Sequence, residues 1–217
     1  MEPTTPYPEC IEPARMTQTG FVDVINRWQS FARLIFWPAY TTMCRGVVTN
    51  LEARDIRPGI SYVVASNHQS QLDSFILMAG FGTKAFASLR PFRAMTMNRY
   101  LMGGIVTYAA IRMGCYPAKR HPSMPSGVEF ASELLGLGQT IYICPEGDLS
   151  LPGERAARPG VAQLAKVPNT MVIPAHIQWT RYSRIRRSFK LTFGAPFDGS
   201  KMTAQEILDA CYALPLR

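Results

Sequence analysis

Two hydrophobic patterns take turns along this chain. In the first, apolar residues follow one another almost without a break, as in Tyr62-Val63-Val64-Ala65, Ile141-Tyr142-Ile143-Cys144 and Val172-Ile173-Pro174-Ala175. Such runs suit strands buried on both faces of a sheet. In the second, apolar positions recur every three or four residues, the period of a helix with one face on a core. Strands are predicted near 49–53, 61–66, 92–97, 115–118, 140–144, 171–178 and 189–193, and helices near 72–81, 100–112, 126–137, 160–166 and 203–213. Ser126 with Glu129, and Thr203 with Glu206, have capping-box spacing and mark two helix starts. This alternation predicts an α/β fold: a single domain over 47–217 with a mixed, mainly parallel central sheet flanked by helices. No repeat or linker divides it.

Residues 21–46 form a separate amphipathic segment. Phe21, Val24, Ile25, Trp28, Phe31, Ala32, Ile35 and Phe36 fall at helical spacing, with Asp23, Asn26, Arg27, Ser30 and Arg33 opposite, and Pro38 is expected to bend or end the helix. Such a helix either packs on the domain or lies in a membrane interface. Its aromatic residues, with Arg27, Arg33 and Arg45, make it a candidate N-terminal amphipathic membrane anchor. Residues 1–20 read as a disordered Pro-rich tail lacking the basic start and apolar core of a signal peptide. No apolar run reaches the roughly 18 residues of a spanning helix.

Composition narrows the partners. The 217 residues are 47% apolar and 18% charged, with net charge +8. That excess favours an anionic partner. Nucleic acid is not expected, because the basic residues are not interleaved with aromatics and no zinc-finger or helix-turn-helix signature occurs. A membrane surface with anionic lipids, or an anionic metabolite, fits better. Arg181, Arg184, Arg186, Arg187 and Lys190 put five positive charges in ten residues, either a solvated loop or a further contact to anionic headgroups. Five cysteines without C-x-x-C spacing read as free thiols of a reducing compartment. Cys115 and Cys144 lie in strand-like runs and read as small core residues with no catalytic role.

Candidate chemistry gathers where two of the predicted strands end. Ser66-Asn67-His68-Gln69-Ser70-Gln71-Leu72-Asp73 carries an imidazole from a strand toward a helix, with a carboxylate five residues on. Imidazole takes a proton near neutral pH, and a carboxylate on its other nitrogen fixes the tautomer and stabilises the imidazolium. The alternative is that Asp73 caps the helix and His68 is a polar turn residue. The second strand end, Pro145-Glu146-Gly147-Asp148-Leu149-Ser150, releases an acidic loop. There Glu146 could accept hydrogen bonds from a hydroxylated substrate, and Gly147 admits close backbone approach. Alternatively it is a solvated surface turn. His121 sits in a polar loop, and His176 reads as a hydrogen-bonded core residue. No cluster has metal-ligand spacing, so neither metal nor redox cofactor is expected.

In order, these blocks resemble the glycerolipid acyltransferase family, the lysophosphatidic acid and glycerol-3-phosphate acyltransferases. Asn67-His68 through Asp73 is similar to its N-H-x4-D block, Gly114-Cys115-Tyr116-Pro117-Ala118-Lys119-Arg120 to its second, and Pro145-Glu146-Gly147 with Ser150 to its P-E-G block. Arg158-Pro159-Gly160, Val172-Ile173-Pro174-Ala175 and Phe193-Gly194-Ala195-Pro196 resemble the later blocks. The resemblance covers roughly 45–198. It implies transfer of a fatty acyl group from an acyl-CoA or acyl-carrier-protein thioester to a lysolipid or glycerol-phosphate-like hydroxyl, on the cytoplasmic face of a membrane. His68 is implied as general base and Asp73 as its orienter, with Glu146, Gly147, Arg120, Arg158 and Ser70 binding the acceptor. One departure stands out. Asp148-Leu149 replaces the family's Thr-Arg, whose arginine is implied to hold the acceptor phosphate, and an aspartate there repels one. Two rival readings are a thioesterase or lipid hydrolase using the same pair on water, and a non-catalytic lipid-binding relative.

Overall fold

The structure, a computed structural model, describes residues 13–49, 55–97, 101, 104–118, 126–147, 156–181 and 187–216. Within them a single domain is built on a sheet of β1 (Cys44–Thr49), β2 (Ser61–Ser66), β3 (Phe92–Thr96), β4 (Cys115–Pro117), β5 (Thr140–Ile143), β6 (Thr170–Arg181) and β7 (Arg187–Phe193). The helices are α1 (Pro13–Met16), α2 (Thr19–Met43), α3 (Asp73–Gly80), α4 (Thr83–Leu89), α5 (Gly104–Arg112), α6 (Gly127–Gly136), α7 (Gly160–Ala165) and α8 (Ala204–Tyr212). The strand order is β1-β7-β6-β2-β5-β3-β4. β6, β2, β5, β3 and β4 run parallel, β7 returns antiparallel to β6, and β1 runs parallel to β7. The mixed, mainly parallel sheet flanked by helices is thus what the chain adopts.

Its apolar runs are apolar because both faces are covered. All six residues of β2 are buried. Tyr62 and Val64 enter one core with Ile76, Phe81, Ile173 and Phe189, while Val63 and Ala65 enter the other with Phe130, Leu134, Leu164 and Ile207. Both capping boxes form, at Ser126/Glu129 and Thr203/Glu206.

Several elements differ from expectation. α2 continues through Pro38 and leads directly into β1, so the first strand is Cys44–Thr49 rather than 49–53; residues 50–54 lie outside the described set. Pro38 removes one helical N–H bond to the carbonyl of Leu34, and both residues are exposed. α4 is unanticipated, its seven residues being too few to display a helical period. Within the stretch read as a tail, α1 is ordered and Met16 is fully buried. Its carbonyl accepts from Nη2 of Arg93, a fully buried guanidinium that also bonds Gln139 Oε1 at 2.6 Å.

α2 packs on the domain through Ile25, Gln29 and Ala32, and exposes Phe31, Leu34 and Ile35. No helix among the described residues is long and apolar enough to cross a membrane. The attachment is polar at its centre. Buried Gln29 donates from Nε2 to the carbonyls of Phe92 and Met113 and accepts the Phe92 N–H at 3.1 Å, pairing the open start of β3. Gly114, at φ +92, makes room: a Cβ there would lie 2.5 Å from the Phe92 oxygen. Gln29→Leu orphans three buried backbone groups at about 1–3 kcal/mol each. It should lower the urea-unfolding free energy by at least about 2 kcal/mol; an unchanged midpoint would show that water replaces the amide.

Candidate active site

β2 and β5 are adjacent and parallel, so the turns that follow them emerge at the same end of the sheet. Ligands of open α/β sheets collect at that end. After Ser66 the β2 backbone leaves the ladder, and side chains continue it. Asn67, fully buried, donates Nδ2 to the carbonyl of Ile177 and accepts the Ile177 N–H, both at 2.8 Å. Gln69 Oε1 accepts the N–H of Trp179 at 3.0 Å. The overhanging half of β6 thus holds the turn that carries His68.

Asp73 is the hub of that turn. Its side chain is fully buried; Oδ2 lies 3.0 Å from Nδ1 of His68 and accepts the N–H groups of Gln69 and Ser70 at 2.8 Å, while Oδ1 accepts indole Nε1–H of Trp179 at 2.8 Å. Its partners all lie outside α3, which disposes of the capping alternative. An ionised carboxylate only accepts, so Nδ1 carries a proton and Nε2 is the nitrogen that Asp73 does not engage, while the Cys144 side chain also bonds the ring. A second buried carboxylate backs the first. Glu146 Oε2 accepts the backbone N–H of His68 at 2.8 Å, and Oε1 accepts the Tyr212 hydroxyl at 2.5 Å.

Burial works against a charged His68, but the Asp73 carboxylate and the nearby Cys144 sulfur outweigh it and raise the ring from 6.5 to about 10. Burial, then the bond to Glu146, push the Tyr212 hydroxyl up, so it stays a donor.

The imidazole opens on a cleft of about 160 Å³, lined by Gln71, Ala94, Met95, Met97, Tyr142 and Cys144 among others, and mostly apolar. The end of β3 forms its wall. α5 does not line it and instead exposes Ile105, Val106 and Tyr108.

Of the acceptor-binding residues implied by the sequence, Gly147 lines the cleft at φ +71. A Cβ on it would strike the side chain of Arg158, within 2.5 Å of its Nε, so the exposed guanidinium lies directly over the Glu146-Gly147 turn. Two others are engaged within the protein. Glu146 does not line the cleft; both its oxygens are engaged inside the protein, and it props the His68 backbone. Ser70 likewise serves the turn, its hydroxyl accepting the Leu72 N–H at 3.3 Å. Arg120, His121, Asp148 and Leu149 lie outside the described residues. Cys115 and Cys144 are half-buried, pack against the hydrophobic core as expected and also line the cleft, with the Tyr142 hydroxyl 2.9 Å from the Cys144 sulfur. His176 is hydrogen-bonded through Nδ1 to the Leu214 carbonyl, as expected. Asn67, Gln69, Trp179 and Tyr212 were missed: three share the end of β2 or β6, but only the strand order shows that the two ends meet.

A sequence model of the acyltransferase family matches residues 48–178. No curated protein matches the chain. Among solved structures, the crystal structure of the 1-acyl-sn-glycerophosphate (LPA) acyltransferase PlsC from Thermotoga maritima aligns with a TM-score of 0.58 at 16% identity, over 84% of this chain and 72% of that chain, a likeness of fold. The match over more than half its length shows that this chain belongs to the acyltransferase family.

Because the folded-state value is raised, the stability His68 contributes is complete below 6.5 and disappears as pH climbs through about 10. The ring should therefore titrate well above 6.5 by NMR, and Asp73→Asn should move the midpoint down. An Asp73→Asn midpoint equal to wild type would mean that the carboxylate does not act on the ring.

Proposed function

We propose that this acyltransferase moves a fatty acyl group from an acyl-CoA or acyl-carrier-protein thioester to a hydroxyl of a lysophospholipid or glycerol-phosphate-like acceptor. The observation that carries the reading is an imidazole tied by Nδ1 to a buried carboxylate at the edge of an apolar cleft. Nε2 takes the hydroxyl proton as the oxygen attacks the thioester carbonyl. The tetrahedral intermediate collapses, the C–S bond breaks, and the thiolate leaves with the proton returned by the imidazolium. Asp73 keeps the ring oriented and steadies its charge throughout. The ring must be neutral to act, and the acyl chain entering the cleft displaces water and pushes its pKa back down. No metal or redox group takes part.

Arg158, over Gly147, is the described cation best situated for an acceptor phosphate, with Arg120 as its companion. A planar guanidinium meets phosphate oxygens two at a time. The enzyme works as a peripheral protein on the cytoplasmic face of a membrane, touching anionic lipids. Exposed apolar side chains on α2 and α5 support that reading.

Labelled palmitoyl-CoA offered with a panel of lysolipids should yield a diacyl product with some of them, identifiable by mass spectrometry. His68→Ala should cut the rate by roughly 10²–10⁴ without loss of fold. CoA release should require the acceptor; equal release without it would assign the dyad to thioester hydrolysis. The rate with saturating substrates should rise with pH as the ring loses its proton, and a flat profile would argue against His68 as base.

A further inference from the structure

The groove between α2 and α4 holds two arginines and, among the described residues, no acid that pairs with either. Arg33 gives Nη2 to the Phe81 carbonyl at 2.7 Å and Nη1 to the Thr83 hydroxyl at 3.3 Å. Arg90 gives Nη1 to the Ser30 hydroxyl at 2.6 Å and, at 3.5 Å, to the Asn26 carbonyl. Every one of these acceptors is neutral. Both Nε–H groups are buried without any partner. The two guanidinium carbons lie 5.2 and 5.6 Å from the centre of one ring, Phe86. Together with Leu34, Pro38 and Ala87 they line a cavity of about 450 Å³. Two cations gathered on one ring repel each other unless an anion joins them.

The surroundings identify the kind of anion. Residues 24–51 and 74–128 contain ten Lys and Arg and not one Asp or Glu. Those same two stretches supply seven of the eight large hydrophobic side chains that stand exposed among the described residues. Leu34 belongs to both sets of observations: it lines the groove and is 74% exposed, with Phe31 and Ile35 beside it on α2. A soluble phosphate ester needs the charge but not the apolar rim, whereas a bilayer of anionic lipid matches both. The groove is also distinct from the catalytic cleft, since Arg90 precedes the start of β3 whereas His68 follows the end of the parallel β2.

We propose that this groove binds the phosphate of an anionic membrane lipid, with Arg33 and Arg90 as its two forks and Phe31, Leu34 and Ile35 set among the acyl chains. The inference rests on the reading that the enzyme works at a membrane surface, and assigns contact with anionic lipid to one defined site.

The test is flotation of the full chain with phosphatidylcholine vesicles, with and without phosphatidic acid. R33Q/R90Q is compared with K166Q/K201Q, which loses the same charge from exposed positions on the other side of the sheet. The clamp predicts that R33Q/R90Q loses about 30-fold in partition to the acidic vesicles, the scale of two basic residues at a lipid surface, and that K166Q/K201Q loses far less. Hydrogen exchange on the wild type, which needs no variant, should slow across Thr83–Leu89 with acidic vesicles and not with neutral ones. Equal losses in the two double variants, or no protection of α4, overturn the clamp while leaving membrane attachment standing. Failure of the wild type to float with either vesicle removes both.

Discussion

The site depends on keeping one charged carboxylate out of water. Removing an ion from water costs several kcal/mol unless its lone pairs are filled. Asp73 fills them with the imidazole, two backbone N–H groups and an indole N–H. These donors come from the turn after β2 and from the far end of β6. The carboxylate that orients the base therefore also holds together the two segments that build the site, and the chemistry and the local fold have one cause.

Parallel strands of unequal length make this possible. β6 runs beyond the last residue of β2 and would present unpaired backbone groups there. Asn67 and Gln69 answer them with side-chain amides, which leaves the β2 backbone free to turn while staying attached. Glu146 does the equivalent from β5, bonded on one side to the His68 backbone and on the other to Tyr212 of α8. His68 is thus braced, directly or through Asp73 and Glu146, from β2, β5, β6 and α8. Such preorganisation removes the entropy cost of aligning the base at each turnover.

Much of this was legible in the chain. Unbroken apolar runs such as Tyr62–Ala65 announce strands covered on both faces, and the two capping boxes fix the starts of α6 and α8. The His68–Asp73 spacing anticipated the pair because both residues lie on one short turn. The failures share a cause, which is that they depend on partners distant in sequence. The bond from Tyr212 to Glu146 spans sixty-six residues, and nothing local reveals it. Cys144 read as core and does pack against it, but only the folded strand end shows that it also meets the cleft. Pro38 read as a bend or stop, and α2 does not stop there but carries it on an outward face.

The account stands or falls on His68 and Asp73 acting as one unit, which a double-mutant cycle on acyl transfer measures directly. With the turn shown intact in each variant by hydrogen exchange, so that only the action of Asp73 on the ring is compared, the His68→Ala/Asp73→Asn protein should be no slower than His68→Ala alone. Losses that multiply, with each substitution slowing the reaction regardless of the other, would contradict it.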